Sequence, residues 1–172
     1  MEKMWAPWRS TYLQECEPAP GCIFCTKPQQ DCDRDNLIVY RGRHSFIICN
    51  RYPYNNGHLM LVPYHHTNVM GDLDAGTIAE IWRCADCAVS ILTRQFRAQG
   101  FNIGMNLGRT AGAGIDQHLH LHLVPRWNGD TNFMPVVGEV KVISQGLWDA
   151  YDALFPLFQE CLSNGSSSPP GT

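Results

Sequence analysis

The chain has 172 residues, 44% of them hydrophobic and 17% charged, with a formal net charge of −3. That length suits one well-cored domain, and the charge excludes a broad nucleic-acid surface, which needs an excess of Lys and Arg. With no long apolar run and no signal-peptide pattern at Met1–Ser10, a cytoplasmic protein without a membrane partner is expected, whose eight cysteines serve metal binding or plain burial rather than disulfides.

Residues 1–21 form an N-terminal arm with Trp5 and Trp8, too apolar for a loose tail and expected to pack on the domain or on a partner subunit. Cys22 and Cys25 then make a C-x-x-C pair. In a reducing compartment this is half of a zinc site or a redox pair. No redox βαβ unit surrounds it, so zinc is favoured, with histidines as the remaining ligands. Asn36–Tyr40 and Ser45–Asn50 are apolar strands separated by Arg41-Gly42-Arg43, and Arg51–Gly57 is a loop rich in turn residues. His58–Pro63 reads as a third strand, followed by His65 and His66.

Leu73–Gln99 carries the main helical period, with Ile78, Ile81, Trp82, Ala85, Val89, Leu92 and Phe96 as its core-facing stripe. Thr77 and Glu80 fit a capping box at its start, Gly100 ends it, and Cys84 and Cys87 read as packing residues. Phe101–Leu107 is a fourth strand, and Gly108–Gly114 is a glycine loop without the Gly-Lys-Ser/Thr ending of a P-loop. That loop is read either as a plain hairpin connection or as a backbone approach to phosphate.

Gln117–Trp127 holds His118, His120 and His122 alternating with Leu119, Leu121 and Leu123. A period of two places the imidazoles on one strand face, about 6.6 Å apart along the strand. A solvated face would use Lys, Glu or Thr, so three aligned histidines point to proton, metal or phosphate chemistry. Asn128–Val137 is irregular, Gln145–Leu162 reads as a closing helix interrupted at Pro156, and 164–172 is expected to be disordered. The chain is therefore expected to be a single α+β domain over 1–163 with a mostly antiparallel sheet, one long central helix and a C-terminal helix.

The H-x-H-x-H run at His118–Val124, together with Asn50-Arg51-Tyr52-Pro53, Gly57-His58 and Leu61-Val62-Pro63, resembles the histidine-triad (HIT) nucleotide-binding family. The flanks Trp5–Arg9 and Val124–Phe133 resemble its bacterial diadenosine tetraphosphate phosphorylase-like branch. The resemblance implies a five-stranded HIT-like fold, a homodimer, and cleavage at the α-phosphate of an adenine nucleotide through a nucleotidyl–histidine intermediate, released by water or inorganic phosphate. It implies His120 as nucleophile, His122 as a phosphate contact, and Asn50, His58, Asn106 and Gly114 around the substrate. It also implies structural zinc on Cys22, Cys25, His66 and His118, with no organic cofactor. A nucleoside phosphoramidate hydrolase and a non-catalytic nucleotide-binding module are the alternatives. Arg109 and Arg126 are the candidate cations for an acceptor phosphate.

Overall fold

The computed structural model describes residues 21–130 and 145–164. The expectations for the tryptophan arm, the C-terminal tail and most of the irregular stretch lie outside the described residues. The elements are α1 (Ile23–Thr26), a 3-10 turn (Lys27–Gln29), α2 (Asp33–Asn36), β1 (Ile38–Arg41), β2 (Ser45–Cys49), β3 (Leu59–Pro63), α3 (Ala75–Phe96), β4 (Gly100–Gly104), β5 (Leu121–Arg126) and α4 (Leu147–Asn164). The strands form one sheet in the order β1-β2-β3-β5-β4, and every adjacent pair is antiparallel. The α+β expectation holds.

The register decides which side chains share a face. Ile48 opposes Met60, and Met60 opposes His122. Directly paired residues project from the same side of a sheet, so these three form a row running from β2 to β5. Leu59, Leu61, Leu121 and Leu123 occupy the alternate positions and join the core with Ile81, Ala85 and Leu92 of α3. Burying each of these large aliphatic side chains stabilises the fold by about 1.5–3 kcal/mol. The Leu/His alternation thus separates a core face from a site face. No helix among the described residues is long and apolar enough to cross a membrane.

The long helix departs from its expected ends. Asp74 is the N-cap: its carboxylate accepts from the Thr77 amide at 2.9 Å and from the Thr77 hydroxyl at 2.8 Å. Glu80 does not close a capping box. It reaches across to the β1–β2 turn, accepting from the amides of Arg43 (3.2 Å), His44 (3.0 Å) and Ser45 (2.8 Å) and from the Ser45 hydroxyl (2.8 Å). The turn is tight enough that a Cβ on Gly42 would strike the Glu80 carboxylate. Arg97, in the left-handed region at φ 53°, ends the helix, and Gly100 instead begins β4.

Part of the expected stripe is also corrected. Ile78 and Trp82 are 43% and 58% exposed, whereas Cys84, Cys87, Ala88 and Ile91 are buried. The period identified the helix but placed the centre of its apolar face too far round. Cys87 is disulfide-bonded to Cys161 of α4, overturning the expectation of packing thiols alone. Its partner stands 74 residues away, beyond the reach of any local spacing rule. Cys49 and Cys84 are packing thiols, and burial pushes both up to about 12. The closing helix runs through Pro156 without a break.

Candidate active site and metal centre

Only His122 of the three alternating histidines lies within β5. His118 and His120 precede it, because the Leu119 amide donates to the Thr67 carbonyl at 2.7 Å rather than joining the β3 ladder. This corrects the uninterrupted strand and explains how His118 serves a different site from His120.

Each imidazole is held by a partner that fixes where its proton sits. A carbonyl oxygen only accepts, so the ring nitrogen facing it carries hydrogen. His120 Nδ1 donates to the His118 carbonyl at 2.8 Å. In the neutral ring this leaves Nε2 with a lone pair. His120 is 5% exposed, and burial lowers its pKa against the opposing effect of that carbonyl, which keeps the ring neutral. Tyr54 donates its amide to His58 Nδ1 at 3.0 Å, so neutral His58 bears its proton on Nε2 and donates to His122 Nδ1 at 3.0 Å. His122 is then left with a proton on its own Nε2, a donor suited to a phosphate oxygen. An unpartnered buried polar atom costs about 1–3 kcal/mol, and no buried side-chain nitrogen or oxygen among the described residues lacks a partner.

His120 and His122 line a cavity of about 270 Å³ together with Ile48, Met60, Asn50, Gly112 and Gly114. Ile23 and Phe24 of α1 close it. The Phe24 ring packs 5.0 Å from that of His120 and 5.5 Å from that of His118. The loop carrying Asn50 and Tyr54 is tied down at its far side. Asn55 donates to the Pro125 carbonyl at 3.0 Å and to Asp130 at 2.9 Å. Asn50 Oδ1 accepts from the Tyr52 amide at 2.9 Å, and Nδ2 lies 3.4 Å from His58 Nδ1.

Of the substrate contacts expected from sequence, Asn50 and Gly114 border the cavity. His58 lies behind His122, and Asn106 is not among the lining residues. Neither candidate cation lines the cavity either: Arg109 pairs with Asp116 at 2.9 Å and Arg126 with Asp130 at 2.6 Å. The cations that do line it are Lys27 and Arg51, which sequence reasoning passed over. Lys27 stands one turn beyond Ile23, and Arg51 follows Asn50 directly, so both carried a positional signal. Burial, reinforced by the charge of Arg51, lowers the Lys27 pKa.

The second cluster is Cys22, Cys25, His66 and His118, whose donor atoms all lie within 4.8 Å of one another. His118 Nε2 donates to the Pro63 carbonyl at 2.8 Å, turning its Nδ1 lone pair inward. That nitrogen is 3.3 Å from Cys22 Sγ, 3.6 Å from Cys25 Sγ and 3.2 Å from His66 Nδ1, and His66 Nδ1 is 3.3 Å from Cys25 Sγ. A tetrahedron with metal–sulfur bonds of about 2.3 Å and metal–nitrogen bonds of about 2.05 Å has edges of about 3.3–3.8 Å. The residues therefore fit a four-coordinate metal ion. Burial and the neighbouring Cys22 raise the Cys25 pKa, so a cation is what would hold that sulfur as a thiolate.

The HIT domain family model matches residues 32–129. The chain is 39% identical over 157 residues to AP-4-A phosphorylase of Mycobacterium tuberculosis, covering 87% of this chain and 80% of that one. Among solved structures, a Zn-bound histidine triad family protein from Mycobacterium smegmatis superposes with a TM-score of 0.66 at 23% identity, covering 84% of this chain and 97% of that one. A hypothetical histidine triad nucleotide-binding protein from Sulfolobus tokodaii gives 0.61 at 25% identity, over 83% and 93% of the two chains.

Proposed function

The chain belongs to the HIT domain family, and from that premise we propose that it is a nucleotidyltransferase cleaving dinucleoside polyphosphates at the α-phosphate. The observation that carries this reading is the hydrogen bond from His120 Nδ1 to the His118 carbonyl. It leaves the Nε2 lone pair of a buried, neutral imidazole beside a nucleotide-sized cavity. Nε2 attacks the α-phosphorus in line, a P–N bond forms, and the P–O bond to the leaving polyphosphate breaks. The positive charge acquired by the imidazole lies next to its own carbonyl acceptor. His122, oriented by His58, donates to a non-bridging oxygen as negative charge develops there.

An acceptor then takes the nucleotidyl group and restores the imidazole. With diadenosine tetraphosphate, inorganic phosphate gives ADP plus ATP, whereas water gives AMP plus ATP. The 39% identity to AP-4-A phosphorylase supports phosphate as the acceptor. Cys22, Cys25, His66 and His118 would hold zinc, which would supply a structural tie fastening α1 to the approach to His120. A homodimer formed along β4 belongs to the same reading. β4 is an outer strand of the sheet, Ile103 on it is 40% exposed, and Leu107 just beyond is 48% exposed.

The test is product analysis of diadenosine tetraphosphate turnover with and without inorganic phosphate, combined with rapid quenching. ADP formed only with phosphate, through protein carrying labelled nucleotide at His120, is the expected result. AMP plus ATP without ADP, whether or not phosphate is present, would make it a hydrolase. Turnover with no labelled protein would remove the covalent route.

A further inference from the structure

The row Ile48–Met60–His122 gives the cavity a direction. His122 and the glycines of the 108–114 loop stand at one end, and Met60 and Ile48 lead away from them across β3 and β2. Strands lie about 4.8 Å apart, so Ile48 is about 10 Å from His122. The Lys27 ammonium is farther still in the same direction. It donates at 3.2 Å to the carbonyl of Asn36, which leads into β1, the strand beyond β2. A phosphate at the histidine end therefore places the nucleobase between Ile23, Phe24 and Ile48, with Lys27 and Arg51 at its outer edge.

Two like charges share this end. The Lys27 ammonium has three hydrogens and one bonded acceptor, and Arg51 makes no hydrogen bond or ion pair among the described residues. No carboxylate lines the cavity among the described residues. The base that fits must therefore present acceptors toward the cations. Guanine offers N7 and O6, both acceptors, and pairs with Arg or Lys there. Adenine offers N7 beside an N6 donor that opposes a cation.

Resting on the reading that His120 takes the α-phosphorus, we infer that Lys27 and Arg51 form a base-edge site that selects guanine over adenine in the nucleotide half bound beside the histidines. A site equipped with donors discriminates strongly against an analogue that meets them with another donor.

The experiment compares kcat/KM for diguanosine and diadenosine tetraphosphate using the full chain. It measures equilibrium binding of GMP and AMP alongside, which needs no turnover. The expected result is a preference of roughly tenfold for the guanine compound in both assays. In Arg51→Leu and Lys27→Met the ratio falls toward one, with far-UV circular dichroism unchanged. Equal or adenine-favouring binding by the unaltered chain overturns the inference. So does a guanine preference that both variants retain, or an equal loss of both substrates that leaves the ratio unchanged. GMP preference without any turnover keeps the base site and removes the reaction proposed for His120.

Discussion

His58 and His122 lie in one line of hydrogen bonds, 3.0 Å apart, with the Tyr54 amide behind them. The backbone of a turn thus decides which nitrogen of His122 bears hydrogen, although His58 itself does not line the cavity. His58→Ala is expected to lower kcat about tenfold while KM changes little. The lost orienting bond acts on the charge developing in the transition state rather than on ground-state binding. His58→Gln, which can still donate toward Nδ1, should recover part of the rate. Steady-state kinetics of the two variants check this, and equal losses in both would assign His58 a packing role.

His120→Ala is expected to lower turnover at least about a thousandfold, since the attacking atom is removed. The cavity walls contributed by Ile23, Phe24 and Ile48 remain. Nucleotide binding measured by calorimetry should therefore stay within a few-fold, and near-normal activity would disprove the assignment.

Removing the metal should act chiefly on stability. Cys22→Ala or exhaustive chelation is expected to abolish stoichiometric zinc in elemental analysis. A loss of roughly 3 kcal/mol corresponds to a melting temperature lower by about 6–12 °C. Unchanged metal content in Cys22→Ala would disprove the four-ligand assignment.

Glu80 gives a pH prediction. Burial raises its pKa, but the hydrogen bonds from His44, Ser45 and Arg43 outweigh this, and the net value lies below the ordinary 4.5. A carboxylate with a depressed folded pKa contributes its full stability above the unfolded value, and that contribution falls as pH drops through the folded one. Acid denaturation should therefore weaken the protein progressively below about pH 4.5. Glu80→Gln should cost about 2 kcal/mol at neutral pH and flatten that dependence. Urea unfolding at several pH values measures both effects.

The legible parts of the molecule are those written in short-range pattern. Alternation over His118–Leu123 separated imidazoles from leucines, and the positions of the strands along the chain followed from apolar runs and turns. The pairing of Cys22 and Cys25 with His66 and His118 spans up to 96 residues and was reached only through the resemblance. What escaped is tertiary. Periodicity could not tell that the helix turns Trp82 outward, or that Glu80 abandons its own helix for the turn after β1. Nor could spacing join Cys87 to Cys161. Lys27 belongs to no motif, and Arg51 lies inside one without a role assigned to it; the two acquire a shared meaning only as walls of one cavity.

The four residues of α1 serve two neighbours at once. Cys25 and the adjacent Cys22 face the metal cluster, while Ile23 and Phe24 face the cavity. Any coupling between the two is then reciprocal: the factor by which a bound ion changes the affinity for nucleotide must equal the factor by which nucleotide changes the affinity for the ion.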